Sequence, residues 1–382
     1  MRRRTFLTAV ALTVLAAVVG STAPPVVAAP LGLTVAADGT LQRSAKPYRG
    51  IGVNYFDALY RHLKNPADLS FDAGFKSLAA AKIPFARFMA GGYWPSEQRL
   101  YLTDRTEFFK RFDRVVQSAE THGIGLIPSL FWWSSCVPDL VGEPRSAWGN
   151  TRSKTHAHLR AYVKDVVSRY RTSPAIWGWE FGNEYALDAS LPNASEWRPP
   201  IVPELGTPRT RGPSDDLTYE MVRTAFTAFA TEVRRYDKTR IITTGNAFPR
   251  PAAWHNWREG SWTEDSSTQF AEMLTADNPS PTDVISVHLY ENDAVRLPSA
   301  VSVAATAKKP LFVGEFGVSG PARTTSTAFT SMLSSIESSG AALAAVWVYD
   351  YAGQPEWSVT RSNARAWQLT AVSKANARVA TG

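Results

Sequence analysis

The chain has 382 residues, of which 44% are hydrophobic and 20% are charged, and its formal net charge is +7. This length allows two domains or one large α/β barrel, and a modest positive charge without a clustered stripe of lysine and arginine gives no indication of a nucleic-acid partner. The single cysteine, Cys136, excludes an intramolecular disulfide, so stability must come from a packed core.

The N-terminus has the features of an export signal. Basic residues at 2–4 precede an apolar stretch over 6–19, and small residues and prolines follow. The order Arg-Arg-Thr-Phe-Leu at 3–7 resembles a bacterial twin-arginine signal, and an ordinary secretory signal with an arginine-rich start is the alternative. We therefore expect 1–29 to be removed, 30–382 to form one domain, and the mature protein to be extracellular without a membrane partner.

The next predicted elements are a hairpin and eight strands. The stretch from Leu31 to Gln42 predicts a short β-hairpin with Asp38-Gly39 as its turn. Apolar, β-rich runs then alternate with amphipathic helical stretches. The predicted strands are Tyr48–Asn54, Phe85–Met89, Gly125–Phe131, Ala175–Asn183, Arg240–Gly245, Val284–Tyr290, Leu311–Glu315 and Ala344–Val348.

Eight near-continuous apolar strands separated by helices predict one α/β domain, a single (β/α)₈ TIM barrel. A doubly wound open sheet is the alternative, but no glycine-rich turn follows the first strand to hold a dinucleotide. Two connections are unusually long. The one after strand four, between Tyr185 and Leu217, contains six prolines and either shapes the rim of a cleft or is an insertion without function; the other follows strand five.

Glu184 and Glu315 each end an apolar run. A carboxylate in such a place is costly to bury without a partner or a function. In a TIM barrel the active site lies at the C-terminal ends of the strands. Two carboxylates there, on different strands and near aromatic residues, predict an acid and a nucleophile on either side of a glycosidic bond. Two structural ion pairs are the alternative.

Charge assigns a role to each neighbouring polar residue. Arg87 ends its strand among apolar residues and needs an anionic partner, which we expect to be Glu315. Arg87 and the Tyr290 hydroxyl would then keep Glu315 ionised as the nucleophile. Glu184 would face that charge, which would raise its pKa and retain a proton for the leaving oxygen. Asn183 would bind the 2-hydroxyl of the sugar.

These residues lie in motifs that resemble the retaining (β/α)₈-barrel glycoside hydrolases, most closely glycoside hydrolase family 5. Asn183-Glu184 at strand four resembles the acid/base motif of the family, and Gly314-Glu315-Phe316-Gly317 at strand seven resembles its nucleophile motif. The remaining matches are Arg87 at strand two, His288-Leu289-Tyr290 at strand six and Trp347 at strand eight. The resemblance spans nearly the whole mature chain and implies an enzyme that needs no metal and no cofactor.

One departure from the family pattern bears on the substrate. Many members have a histidine after strand three, where this chain has Trp132 and Trp133. The stretch 173–180, which leads into Asn183-Glu184, is similar to the β-mannanase branch, and a tryptophan after strand three is compatible with that branch. The resemblance therefore favours β-mannan over cellulose.

Aromatic and amide side chains at the strand ends and in the loops are candidates for sugar binding, because aromatic faces can stack on sugar rings. These candidates are Asn54, Trp132, Trp133, Trp254, Trp257 and Trp347. Glu180 lies one step deeper than Glu184 on the same side of its strand, and we interpret it as a structural carboxylate.

The sequence thus predicts a secreted, monomeric, retaining β-glycoside hydrolase that cleaves a β-1,4-linked polysaccharide. A transglycosylase, an exo-acting β-glycosidase and a non-catalytic carbohydrate-binding barrel are the alternatives. A metal-dependent hydrolase is disfavoured because, of six histidines, only His288 lies at a strand end. A retaining enzyme should hold its two carboxyl groups about 5–5.5 Å apart, whereas about 6.5–9.5 Å would indicate inversion.

Overall fold

The computed structural model describes residues 31–322 and 324–379. The predicted export signal lies outside these residues. Within the described ranges, no helix is both long and apolar enough to cross a membrane.

A small antiparallel sheet precedes the barrel. Its strands are β1 (Leu33–Val35), β2 (Leu41–Arg43) and β3 (Lys46–Pro47), so the predicted hairpin has a third strand. Leu33 is fully buried in a cluster with Phe85 and Trp177, and its backbone N–H donates to the Trp177 carbonyl at 2.8 Å. The sheet therefore covers the N-terminal end of the barrel, the end opposite the predicted site.

Eight parallel strands form the barrel, and the prediction of a (β/α)₈ fold is confirmed. They are β4 (Gly50–Asn54), β5 (Phe85–Met89), β6 (Gly125–Phe131), β7 (Gly178–Gly182), β8 (Ile241–Thr243), β9 (Ile285–Leu289), β10 (Leu311–Phe316) and β11 (Leu343–Val346). Consecutive strands pair from β4 to β8 and from β9 to β11, and β11 pairs with β4. Between β8 and β9, the backbone N–H of Asp283 donates to the carbonyl of Ile242 at 2.9 Å.

The helices surround the barrel. They are α1 (Ala58–Lys64), α2 (Ser70–Ala80), α3 (Pro95–Thr103), α4 (Arg105–His122), α5 (Cys136–Val141), α6 (Lys154–Tyr170), α7 (Tyr219–Tyr236), α8 (Ala253–Glu259), α9 (Ser267–Ala276), α10 (Leu297–Ala307), α11 (Ser326–Ser339) and α12 (Ala366–Val379). In α4 the side chain of Asp104 caps the first turn by accepting from the Glu107 N–H, and Gly123 ends the helix with φ 68°. Its apolar face, which includes Phe108 and Phe112, is buried against the strands.

The fourth and fifth barrel strands are the ones that fall furthest short of the apolar runs that predict them. The fourth starts at Gly178 because the carbonyls just before it bind elsewhere: Ile176 accepts from Arg240, and Trp177 accepts from the N-terminal sheet. The fifth ends at Thr243, and Gly245 then takes a φ of 74°. A Cβ at Gly245 would lie 2.0 Å from the Gly182 carbonyl oxygen, so this turn requires glycine.

Candidate active site

Glu315, on β10, is held by two hydrogen bonds, one to each carboxylate oxygen. Arg87, on β5, donates from Nη1 to Oε1 at 2.9 Å, and the Tyr290 hydroxyl donates to Oε2 at 2.6 Å. Glu315 is 4% exposed, and its strand pairs with β9 so that it lies opposite His288. Two donors from different strands fix the direction in which this carboxylate points. The structure thus places Arg87 and Tyr290 as the sequence predicts.

Arg87 has more partners than the sequence indicates. Its Nε donates to both carboxylate oxygens of Glu180, at 2.8 and 3.0 Å, its Nη1 also reaches Asn54 Oδ1 at 3.0 Å, and its Nη2 donates to Asn183 Oδ1 at 2.7 Å. The guanidinium is fully buried, so a single cation is shared between two buried carboxylates, Glu180 and Glu315.

Glu180 is therefore the site residue whose partner the sequence does not reveal. Burial raises its pKa to about 7, although Arg87 and a hydrogen bond from Ser129 act in the opposite direction. The sequence signal for its place is its position four residues before Glu184 in the same apolar run, which predicts that both side chains face inward. Its pairing with Arg87 depends on how the strands are staggered, which composition does not give.

Glu184 lies just beyond β7 with a left-handed backbone, φ 55°. Its N–H donates to the carbonyl of Gly245 at 3.0 Å, so the glycine turn after β8 positions it. Burial raises the pKa of Glu184 to about 7, Arg87 lowers it, and the negative charge of Asp188 raises it further. The expected direction is correct, but the expected cause is not: lost hydration is the largest effect, and Glu315 is not among the main contributors.

The carboxylates of Glu184 and Glu315 lie close together, with His288 between them. Ligand atoms of the three residues all lie within 4.8 Å of one another, and they are the group among the described residues that could hold a metal ion. His288 Nδ1 is 2.7 Å from Glu184 Oε1 and 3.5 Å from Glu315 Oε2. This closest oxygen–oxygen approach, within 4.8 Å, is compatible with the spacing of about 5–5.5 Å between carboxyl groups that retention requires.

His288 is neutral at neutral pH, because burial lowers its pKa to about 4. Its Nε2 is buried without a hydrogen-bond partner among the described residues, and it faces Gly314, where a Cβ would lie 3.0 Å away. A buried acceptor nitrogen without a hydrogen-bond partner costs less free energy than a buried N–H without one. We therefore assign the proton to Nδ1, from which it is donated to Glu184.

An aromatic cluster forms the wall beside the carboxylates. Trp132 and Trp347 stack with centroids 6.2 Å apart, and the Arg87 guanidinium lies 4.8 Å from the Trp132 ring. Phe56, which follows β4, contacts both tryptophan rings and belongs to the same cluster, as does Trp133. Phe56 was not predicted, because a phenylalanine after an apolar strand cannot be distinguished from core.

Trp254 and Trp257 are not brought to the carboxylates. Both lie on α8, where Trp254 donates to Glu272 at 3.0 Å. The Trp257 ring lies between two guanidinium groups, those of Arg223 at 4.4 Å and Arg258 at 3.4 Å. Their rings are used to pack the helix surface, and neither lines the cavity at Glu184.

A cavity of about 370 Å³ opens next to Glu184. Its lining includes Asn183, Trp133, Trp197 and Arg250, and it extends along the connection after β7. A larger cavity, about 550 Å³, lies beneath the N-terminal sheet, with Leu41 and Tyr48 in its lining, at the end of the barrel away from the carboxylates. The proposed acid Glu184 therefore lies at the smaller of these two cavities.

The long connection after β7 is anchored by ion pairs. Arg211 donates to both carboxylate oxygens of Asp139, at 2.6 and 2.7 Å, and both side chains are buried. Arg198 and Asp216 form a second two-bond pair, at 2.7 and 3.0 Å. The Arg211–Asp139 pair ties this segment to α5, whereas the Arg198–Asp216 pair links two parts of the segment to each other, and the segment forms part of the cavity wall.

The chain is similar to several proteins of known family or fold. The model of the cellulase family, glycosyl hydrolase family 5, matches residues 61–353. The mannan endo-1,4-β-mannosidase F of Aspergillus clavatus is 28% identical over 226 residues, which is 55% of this chain and 44% of that protein. The chain thus spans less than half the length of that curated relative.

Two solved structures from Rhizomucor miehei share the fold. An endo-1,4-β-mannanase has a TM-score of 0.66 at 16% identity, covering 92% of this chain and 100% of the other. A family 5 mannosidase has a TM-score of 0.65 at 13% identity, covering 92% and 99%.

Proposed function

The chain belongs to glycosyl hydrolase family 5, and on this basis we propose that it cleaves β-1,4-linked mannan with retention of anomeric configuration. The observation that carries the proposal is the carboxylate pair: oxygens of Glu184 and Glu315 within 4.8 Å, with Glu315 held by Arg87 and Tyr290. A short approach between the two carboxylates supports retention, because inversion uses a wider gap in which a water molecule attacks the sugar.

In the first step Glu315 attacks the anomeric carbon. A bond forms between C1 and a carboxylate oxygen, the glycosidic bond breaks, and Glu184 transfers its proton to the leaving oxygen. A pKa of about 7 lets Glu184 hold that proton near neutrality. Arg87 and Tyr290 keep Glu315 aimed during the attack. Arg87 also fixes the side-chain oxygen of Asn183, which supports a role for its amide N–H groups in binding the 2-hydroxyl.

In the second step Glu184 acts as a base. It accepts a proton from water, the water oxygen bonds to C1, and the ester bond to Glu315 breaks. The Nδ1–H of His288 donates to Glu184 at 2.7 Å and stabilises the carboxylate that exists between the two steps. Each residue thus returns to its starting state.

The choice of mannan is supported by the relatives. The curated relative named above is a mannan endo-1,4-β-mannosidase, and the pair Trp132-Trp133 after β6 is compatible with that branch. Exo action, transglycosylation and β-glucan as substrate are the alternatives at the same site. Residues 1–29 have the composition of an export signal, and we propose that the mature enzyme acts outside the cell as a monomer.

The test is a screen of purified protein on mannan, glucan and xylan, with product sizes resolved and the first anomer formed identified by NMR. We expect mannan to be cleaved fastest and the β-anomer to appear first. Glu184→Ala and Glu315→Ala should each remain folded and lose nearly all hydrolysis, and azide should restore turnover of an aryl glycoside to Glu184→Ala as a β-glycosyl azide. Wild-type-like hydrolysis by either variant would overturn the assignment.

A further inference from the structure

The connection between β11 and α12 contains a loop over residues 350–358 whose base is closed by hydrogen bonds. The Asp350 N–H donates to the Val359 carbonyl at 3.0 Å, and the Val359 N–H donates to the Val348 carbonyl at 2.9 Å. From α1, Arg61 donates to the Asp350 carboxylate at 3.0 Å and to the Asp350 carbonyl at 2.5 Å. Hydrogen bonds from two directions therefore fix the base of the 350–358 loop to the barrel.

Gln354, in this loop, holds the ring of Trp347. Trp347 Nε1 donates to Gln354 Oε1 at 2.7 Å, and the Trp347 backbone N–H donates to the Phe316 carbonyl at 2.8 Å. An indole has a single N–H donor, so its one strong hydrogen bond selects among the rotations that are open to the ring. The Gln354 acceptor thus fixes the direction in which the Trp347 ring faces.

Trp357, in the same loop, packs against Tyr290. The two rings meet edge to face, with centroids 5.5 Å apart and planes at 80°. Tyr290 is the residue whose hydroxyl donates to Glu315 Oε2 at 2.6 Å. The Trp357 ring also lies against the backbone after β10, since a Cβ at Gly317 would lie 3.4 Å from it. An edge-to-face pair stabilises the position of both rings, so Trp357 limits the movement of the ring that carries the donor.

One turn thus contacts both sides of the nucleophile strand. The Trp357 N–H donates to the Gln354 carbonyl at 3.0 Å, so the two side chains are fixed relative to each other. Tyr290 directly follows β9, Trp347 directly follows β11, and both strands pair with β10, which carries Glu315. A shift of this turn would therefore be transmitted to the nucleophile from two neighbouring strands.

We propose that two residues of this loop, Gln354 and Trp357, are positioning residues for the reaction, an inference that rests on the proposed function. Trp357 acts through the Tyr290 hydroxyl, because a hydrogen bond weakens steeply when its donor turns away from the acceptor. Gln354 acts through the Trp347 ring, which forms part of the aromatic wall beside the carboxylates. Neither residue lines the cavity beside Glu184, so contact with a sugar in that cavity is not the basis of the effect.

The first experiment removes the ring that packs on Tyr290. In Trp357→Ala, kcat on mannopentaose should fall about 3- to 10-fold while KM stays within about twofold, because the nucleophile is aimed less well and the sugar contacts are kept. Trp357→Phe retains a ring and should keep most of kcat. In a Tyr290→Phe background, which has no hydroxyl to aim, Trp357→Ala should cost at most about twofold more. An unchanged kcat in the single variant, or the same loss in both backgrounds, would overturn the role of Trp357.

The second experiment removes the acceptor of the indole N–H. In Gln354→Leu, KM on mannopentaose should rise about 3- to 10-fold with kcat within about twofold, because the aromatic wall is misaligned for the sugar before and during the reaction. In a Trp347→Phe background, which has no indole N–H, Gln354→Leu should change KM by less than about twofold. A larger change in that background, or an unchanged KM in the single variant, would show that Gln354 does not act through Trp347.

Two variants away from the loop serve as matched controls. Trp262→Ala removes a tryptophan that is 50% exposed, and Gln117→Leu replaces an exposed glutamine on α4. Both should keep kcat and KM within about twofold of wild type. Thermal unfolding is measured on every sample, and rates are compared at a temperature at which all the variants are folded. A loss in either control equal to that of its counterpart in the loop would overturn the inference.

A measurement without substrate separates this inference from the proposed function. Hydrogen exchange of the Trp347 indole is followed by NMR on protein with isotope-labelled tryptophan, and the signal is assigned by its absence in Trp347→Phe. Exchange should be about tenfold faster in Gln354→Leu than in wild type, and it should stay slow in Gln354→Glu, which retains an acceptor. If the wild type cleaves no β-glycoside, the proposed function is wrong, yet faster exchange in Gln354→Leu alone still supports the hold of the loop on Trp347. Equal exchange in wild type and Gln354→Leu overturns it.

Discussion

Removing one oxygen from Tyr290 tests the arrangement of the nucleophile. In Tyr290→Phe, Glu315 Oε2 loses the donor that lies 2.6 Å away. Burial raises the pKa of Tyr290 well above its usual value, so in the wild type the hydroxyl keeps its proton throughout the neutral range. A hydrogen bond to a charged group contributes about 1.5–3 kcal/mol. Because 1.4 kcal/mol is a factor of ten, kcat/KM should fall about 10- to 150-fold.

The assay is the initial rate on mannopentaose, with thermal unfolding measured on the same samples. Tyr351→Phe is the matched control: it removes the same oxygen from a ring in the same aromatic cluster, and the Tyr351 hydroxyl is bonded to neither glutamate. A Tyr290→Phe enzyme within about twofold of wild type would refute the reasoning, as would an equal loss in Tyr351→Phe.

Three further predictions concern pH and stability. Since burial raises the pKa of Glu184 to about 7 and the acid must be protonated, kcat/KM should decline as pH rises through about 7; a profile that stays flat to about pH 9 would contradict this. Arg211→Ala leaves a buried carboxylate unpaired and should cost about 3–5 kcal/mol in denaturant unfolding, whereas Arg198→Ala, in a partly exposed pair, should cost much less; similar losses would count against the anchoring. In Gly245→Ala the new Cβ would lie 2.0 Å from a carbonyl oxygen, so the free energy of unfolding should fall by more than about 2 kcal/mol and most activity should be lost. In the control Gly123→Ala the Cβ meets nothing within 4 Å, so the free energy of unfolding should fall by about 1 kcal/mol without loss of activity. A stable, active Gly245→Ala enzyme would show that the turn does not position Glu184.

The barrel could be predicted because its strands are buried on both faces. Such strands are continuous apolar runs, and two of the predicted strands, Phe85–Met89 and Gly125–Phe131, have the bounds observed. The positions of Glu184 and Glu315 at the ends of strands followed directly from those runs, since parallel strands bring their C-terminal ends to one rim.

The partners across the barrel could not be predicted in the same way. Whether Arg87 reaches Glu180, Glu315 or both depends on strand stagger, a property of the closed barrel and not of any one segment. The loops were harder still. Among the loop tryptophans the sequence favours Trp254 and Trp257 and not Trp197, yet Trp197 lines the cavity and Trp257 packs between arginines. The direction in which a loop ring faces depends on the path of the whole connection, which composition does not give.

Arg87 joins side chains from three regions of the barrel: Asn54 on β4, Glu180 and Asn183 at β7, and Glu315 on β10. These lie around the ring of strands, so a slip of any one relative to the others would break a bond to the guanidinium that holds the nucleophile. Hydrolytic activity should therefore report on the integrity of the whole barrel. The same residue sets a limit for protein engineering. Replacing this buried charge to gain thermal stability would release Glu315, so a barrel stabilised in that way should be inactive.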